Sequence, residues 1–340
     1  MKTMKKSLYH TLLLSLASAL FVGCGENTYE ADESGLTKVT LLNDWYAQPE
    51  HGGFYQAFAE GYYEDFGLDV EIIPGGPNTM ATQQIATQQV EFSIGRADDI
   101  AVRIANGVPL LIVGALMQHD PQALMVHEES GITSFKDLDN LSVMTTPGAP
   151  MVEFLQKRYD ITINTLPVDY GMSRFLADKN FIQQIFITNE PYYIRKEGAN
   201  PKALLLADSG YDPYRVIFTN KSFANKHPEI VKAFVAASIK GWQSYMAGPR
   251  DKANAIIAAS NPKMTEEFMA YCVDAMRENK LISGHSDVDE TGLIRPDRMQ
   301  EHIDQLLEIG TISTQLDAEA IAPTKFLPEY LQAMIETETE

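Results

Sequence analysis

A chain of 340 residues is long enough for two lobes with a sizeable core, and 45% hydrophobic with 21% charged residues is ordinary globular composition. The formal net charge of −19 argues against nucleic-acid or anionic-membrane binding, because both reward basic surfaces. The acidity fits a soluble, freely diffusing protein and specifies no ligand.

Lys2, Lys5 and Lys6 precede a short apolar run from Leu8 to Val22, which ends at Gly23-Cys24. The run is too short for a spanning helix and predicts a secretory signal over residues 1–23, whose removal makes the chain three charges more negative. A small residue directly before Cys24 resembles a bacterial lipobox, so Cys24 is the expected lipidation site. Residues 24–35 are polar and acidic, as a flexible tether should be. Cys272 is then the one cysteine left unmodified; it sits in an apolar-patterned helix and is expected in the core, with no disulfide within one mature chain.

The stretch from Asn43 to Asn78 organises the rest. An apolar run, Val39–Leu42, reads as a buried strand and ends in Asn43-Asp44-Trp45-Tyr46. His51-Gly52-Gly53 open a helix whose apolar positions recur at i, i+3 and i+4. Gly67 stops it, Leu68-Val70-Ile72 alternate as a second strand, and Pro74-Gly75-Gly76-Pro77 turns. This is a β-α-β unit with polar and aromatic side chains at the carboxyl end of its first strand, the edge where open α/β sheets bind ligands.

Further along, a helix is expected over 79–88 with Asn78 as N-cap, a strand over 90–94, then Arg96-Ala97-Asp98 and a helix over 99–106. Leu110–Met117 reads as a central buried strand, and Ala123–Val126 as the next strand. Leu141–Met144 is a strand whose loop, with Gly148, leads into a helix over 151–158 started by Pro150. Ile182–Ile187 is a strand ending in Thr188-Asn189-Glu190-Pro191-Tyr192, and Val216–Thr219 returns the chain to the first lobe. Helices follow over 228–245, 251–259, 265–278 and 296–310. The alternation of strands and helices predicts α/β sheets built largely of parallel strands.

Asp44-Trp45-Tyr46, PEHGGFYQAFAEGYYEDFGLDVEI and the PGGPN turn resemble the solute-binding proteins of the thiamine-pyrimidine family, the extracytoplasmic receptors of ABC importers. Their relatives include sulfonate, nitrate and riboflavin receptors and a fungal pyrimidine synthase. The resemblance runs from about residue 39 to 331. It implies a two-lobe periplasmic-binding-protein fold of type II, each lobe a mixed sheet flanked by helices. The expected division is 36–124 with 220–340 for lobe one and 125–219 for lobe two. It further implies a small-molecule ligand, an ABC permease as partner, a membrane tie through the N-terminal lipid, and a monomer outside the cytoplasm. Glu190-Pro191 resembles the Glu-Pro pair of these receptors, whose carboxylate projects into the cleft.

The candidate ligand-binding residues are Asn43, Asp44, Trp45, Tyr46, His51, Tyr55, Gly75, Gly76, Asn78, Arg96, Asp98, Gly148, Asn189, Glu190 and Tyr192. Asp44, Trp45 and Tyr46 should form one wall and Glu190 the opposing carboxylate. Acids in the cleft loops (Asp44, Glu50, Asp98, Asp120, Glu190) outnumber cations, and with aromatic faces they suit a flat, nitrogen-rich ring such as a thiamine-precursor pyrimidine. Riboflavin meets the same description; a sulfonate or nitrate would call for more cations. The histidines at 51, 119, 127, 227, 285 and 302 lack i, i+4 metal spacing, and no nucleophile elbow or P-loop is present. No metal, no cofactor and no enzymatic activity are expected.

Overall fold

A computed structural model describes residues 29–284 and 288–338. They fold as a two-lobed α/β protein with two five-stranded sheets, each flanked by helices. The first sheet contains β1 (Thr37–Leu42), β2 (Leu68–Ile73), β3 (Phe92–Arg96), β4 (Leu110–Met117) and β10 (Arg215–Asn220), in the order β2-β1-β3-β10-β4. The second contains β5 (Gln122–His127), β6 (Ser142–Met144), β7 (Asn164–Leu166), β8 (Ile182–Phe186) and β9 (Pro201–Leu205), in the order β7-β6-β8-β5-β9.

In each sheet four strands run in one direction and the fifth lies antiparallel between two of them. β10 pairs antiparallel with β3 and β4, and β5 with β8 and β9. Both inserted strands are the first to follow a crossing between sheets, at 118–121 and 206–214. The chain therefore enters the second sheet at Gln122 and regains the first at Arg215.

Several expectations shift for identifiable reasons. Leu110–Met117 is buried along its whole length, yet it is an edge strand rather than a central one. Leu281 and Gly292 meet that edge: Ala115 N–H donates to the Gly292 carbonyl at 3.0 Å and Gln118 N–H to Leu281 at 2.6 Å. The helix expected over 79–88 is shorter, Ala81–Ala86, and exposed Asn78 caps nothing, because the turn is closed by Gly76 N–H donating to the Thr79 hydroxyl. The signal, Cys24 and the start of the tether lie outside the described residues. Within the expected tether, Tyr29 already engages the body, donating to Glu91 at 2.8 Å with its ring edge-on to Phe223.

The glycine pair opening the helix Gly52–Ala59 serves packing. A Cβ on Gly52 would lie 2.2 Å from the Tyr245 ring, and one on Gly53 2.1 Å from Trp242. The long helix Pro228–Ala247 answers with Gly241, where a Cβ would meet the Gly53 carbonyl at 2.2 Å. Two helices thus touch backbone to backbone, which fixes the loop that precedes the first of them. Cys272 is buried in the helix Glu266–Glu278.

Candidate functional site

The loops after β1, β6 and β8 converge with the end of β3 and the start of β10, at the carboxyl edges where the two sheets face each other. Two cavities lie there and share Thr146. The larger, about 580 Å³, is lined by Asp44, Arg96, Gly148, Arg215, Arg103 and Gln122 among others. The smaller, about 160 Å³, is lined by Trp45, Gln48, Tyr170, Gln183, Gln184, Asn189 and Glu190 among others.

The buried guanidinium groups at the larger cavity are paired. Arg96 donates from Nε and Nη2 to the two oxygens of Asp98 at 3.0 and 2.9 Å, and from Nη1 to Gln122 at 2.7 Å. Asp98 is fully buried and also accepts from the Tyr211 hydroxyl at 2.6 Å. Asp98 therefore orients Arg96 from behind and does not line either cavity. Asp44 is shared by the Arg215 guanidinium and by His51 Nε2, the latter at 3.1 Å. Burial alone would raise the Asp44 carboxyl; the Arg215 charge and the His51 hydrogen bond outweigh it and hold it at about 2. Buried Asp120 behaves oppositely. Desolvation pushes it up to about 6 against the pull of Arg96 and Arg215; one oxygen accepts Gln122 N–H at 2.7 Å, and the other has no partner among the described residues.

The smaller cavity is aromatic and holds a carboxyl with no cation within salt-bridge reach among the described residues. The Trp45 ring lies 5.5 Å from Tyr170 of the other lobe, tilted by 36°, and Tyr46 stands edge-on to Trp45 at 5.4 Å. Glu190 is the first residue of the helix Glu190–Lys196, and its Oε2 accepts Phe186 N–H at 2.9 Å. Burial pushes its carboxyl up to about 7, and nearby Glu50 adds to the rise. Asn189 precedes it at the cavity wall.

Of the sequence candidates, Asp44, Arg96 and Gly148 line the larger cavity, and Trp45, Asn189 and Glu190 the smaller. Tyr46 is half exposed beside Trp45, with Gly76 against its ring. The others stand outside both cavities. Asn43 and Tyr55 are buried and bonded to each other at 3.3 Å. His51 acts through Asp44. Gly75 is a backbone fit, since a Cβ there would lie 2.2 Å from the Asn43 carbonyl, and Asn78 is an exposed turn residue. Tyr192, expected at the cleft, is buried against Phe268 and Tyr271 at 5.1 and 5.3 Å, because the helix Glu266–Glu278 packs on its ring. Sequence reasoning missed Arg215, Tyr170, Gln48, Gln183 and Gln184. The two glutamines sit on β8, which was identifiable, but the sequence carries no sign of which way they face.

The sequence matches the family described as NMT1/THI5 like over residues 48–252. It is 24% identical to the formylaminopyrimidine-binding protein of Halalkalibacterium halodurans, covering 73% of this chain and 78% of that protein. It is 26% identical to a 4-amino-5-hydroxymethyl-2-methylpyrimidine phosphate synthase of Candida albicans, covering 63% and 69%. Among solved structures, the periplasmic aliphatic sulphonate binding protein of Escherichia coli superposes with a TM-score of 0.64 at 13% identity, covering 84% of this chain and 91% of that one.

Proposed function

The chain belongs to the NMT1/THI5-like family, and on that basis we propose that it is an extracytoplasmic solute-binding lipoprotein, anchored through Cys24, that delivers a small, flat, nitrogen-containing heterocycle to an ABC importer. A thiamine-precursor pyrimidine is the favoured ligand. The observation that carries this reading is the smaller cavity. Aromatic rings from both lobes, Trp45 and Tyr170, stand beside a half-buried carboxyl, Glu190, which lacks a cation among the described residues. A ring with exocyclic amino groups supplies a face to stack and donors for that carboxyl.

The lobes then serve as jaws. Lobe two, about 122–214, closes on the remainder about the two crossings, and the ligand is enclosed between Trp45 and the 187–190 loop. An anion receptor is less well supported, since the buried guanidinium groups already face carboxylates: Arg96 faces Asp98, and Arg215 faces Asp44. A sulfonate or nitrate would have to displace them. A synthase-like activity also finds little support. Among the described residues no three His, Cys, Asp or Glu side chains are grouped to hold a metal, and burial pushes the Cys272 thiol well up, away from a nucleophilic thiolate.

A thermal-shift panel of aminopyrimidines, thiamine, riboflavin, purines, taurine, alkanesulfonates and nitrate tests the ligand class. At a hundred times its dissociation constant a ligand adds about 2.7 kcal/mol, a shift of several degrees. Stabilisation by aminopyrimidines is expected. Stabilisation by sulfonates or nitrate alone overturns the heterocycle, and turnover of a stabilising compound restores the enzyme.

A further inference from the structure

The loop Ile187–Glu190 leaves the second sheet at the end of β8, and besides the Ile187 N–H bond to the Pro121 carbonyl at 2.9 Å it makes three hydrogen bonds to the first lobe. Tyr271, in the helix Glu266–Glu278, donates its hydroxyl to the Ile187 carbonyl at 2.7 Å. The Cys272 thiol of the same helix donates to the Thr188 carbonyl at 3.1 Å. The Thr188 hydroxyl donates to Glu50 Oε1 at 2.6 Å, and Glu50 lies in the turn Pro49–His51 just before the Gly-Gly helix. Thr188 is fully buried and Glu50 is 5% exposed, so water does not compete for this bond.

Three bonds on two consecutive residues tie the loop to the first lobe at the point where β8 ends. The residues that follow are Asn189 and Glu190, which line the smaller cavity. We infer that Glu50, Tyr271 and Cys272 are positioning residues: acting through Thr188 and Ile187, they set the place of the Glu190 carboxyl at the ligand. This inference rests on the reading of the smaller cavity as the binding site. It also assigns the family-like PEHGG turn a task beyond holding Asp44, since its Glu50 reaches across to the other lobe.

The arrangement has a consequence for specificity. Glu50 Oε2 has no hydrogen-bond partner among the described residues, and burial pushes the Glu50 carboxyl up. A loop tied to a buried acid of the opposite lobe presents Glu190 at one height above Trp45. A ring of the right width then meets face and edge contacts together.

The test uses the full chain and a double-mutant cycle, with 4-amino-5-hydroxymethyl-2-methylpyrimidine as probe. Thr188→Val keeps the shape and removes the hydroxyl; it should weaken binding about fivefold, and Thr188→Ser should restore it. In a Glu190→Gln background Thr188→Val should cost less than about twofold, because its effect passes through the missing carboxylate. A second readout needs no ligand. The carbon-13 signal of the Glu190 carboxyl, assigned by its loss in Glu190→Gln, should titrate near 7 in the native chain and in Thr188→Ser. In Thr188→Val and in Tyr271→Phe it should move toward the ordinary carboxylate range as the loop loosens and water enters. Fully additive losses together with an unmoved titration overturn the positioning role. An unaltered affinity in Glu190→Gln, or no binding of the probe, instead rejects the site reading, and the titration alone then decides whether the loop is held as described.

Discussion

In the larger cavity, the buried guanidinium groups of Arg96 and Arg215 each meet a carboxylate of their own lobe before any ligand arrives. In the smaller one, the Glu190 carboxyl accepts Phe186 N–H but has no cation within salt-bridge reach among the described residues, and burial raises its proton affinity. The same kind of group, a carboxyl at the interlobe cleft, is held at about 2 in Asp44 and raised to about 7 in Glu190. The difference teaches where binding free energy is available. A matched pair gains little from a ligand, whereas an unmatched acid in a half-dry cavity gains a partner.

The comparison breaks most severely at Asp98. Replacing it by alanine leaves buried Arg96 with Gln122 and the exposed Asp99 carboxylate at 3.5 Å, and loss of the main partner of a buried pair costs about 3–5 kcal/mol. Chemical unfolding of Asp98→Ala should show that loss; a change below about 1 kcal/mol would mean that Arg96 finds another partner. Glu190→Gln should act on binding instead. At pH 8, where Glu190 is ionised, it should weaken aminopyrimidine binding by about ten- to a hundredfold, the value of a charged hydrogen bond in a dry cleft.

The pH dependences of the two acids have opposite signs. Asp44 is depressed below its ordinary 3.8, so its stabilisation is present above that value and is lost as pH falls through about 2. That contribution is about 2 kcal/mol, and Asp44→Asn should flatten this part of the acid-denaturation curve. Glu190 is raised from 4.5 to about 7, so the native fold holds its proton more tightly than the unfolded chain does. Its stabilisation is present below 4.5 and lost as pH rises through about 7; melting temperatures of native and Glu190→Gln protein should diverge across that window, with the native falling. Parallel curves would remove Glu190 from its desolvated setting. The smallest effect is expected at Tyr170. Tyr170→Ala deletes one ring from the cleft and should cost about 1 kcal/mol of ligand affinity with little change in melting temperature, since Tyr170 is 69% exposed.

The first sheet and the inner strands of the second were legible in the sequence because strand and helix periods are local; the second sheet's outer strands β7 and β9 were not. Val39–Leu42 and Leu110–Met117 announce themselves by apolar runs and Ile182–Phe186 by its apolar ends, and the loops after the first and the last carry Asp44, Trp45 and Glu190. What each polar side chain faces is a tertiary matter. Asp98 and Asp44 look alike in sequence, but one is fully buried behind Arg96 and the other faces a cavity. Tyr192 and Tyr170 show the same failure in both directions. Tyr192 sits beside Glu190 and is taken by a helix some 80 residues later in the chain, while Tyr170 lies in a stretch without periodicity and reaches Trp45 across the cleft. Arg215, on a strand whose partners come from much earlier in the chain, left no local sign of its pairing with Asp44.

The central claim is that the smaller cavity is a heterocycle site. Calorimetric titration of the ligand-free protein with 4-amino-5-hydroxymethyl-2-methylpyrimidine, with taurine and nitrate titrated in parallel, tests it most directly. Saturable binding of one aminopyrimidine per chain is expected, abolished by Trp45→Ala, with no heat from either anion. Saturable binding of taurine or nitrate with none of the aminopyrimidine, or aminopyrimidine binding untouched by Trp45→Ala, would contradict it.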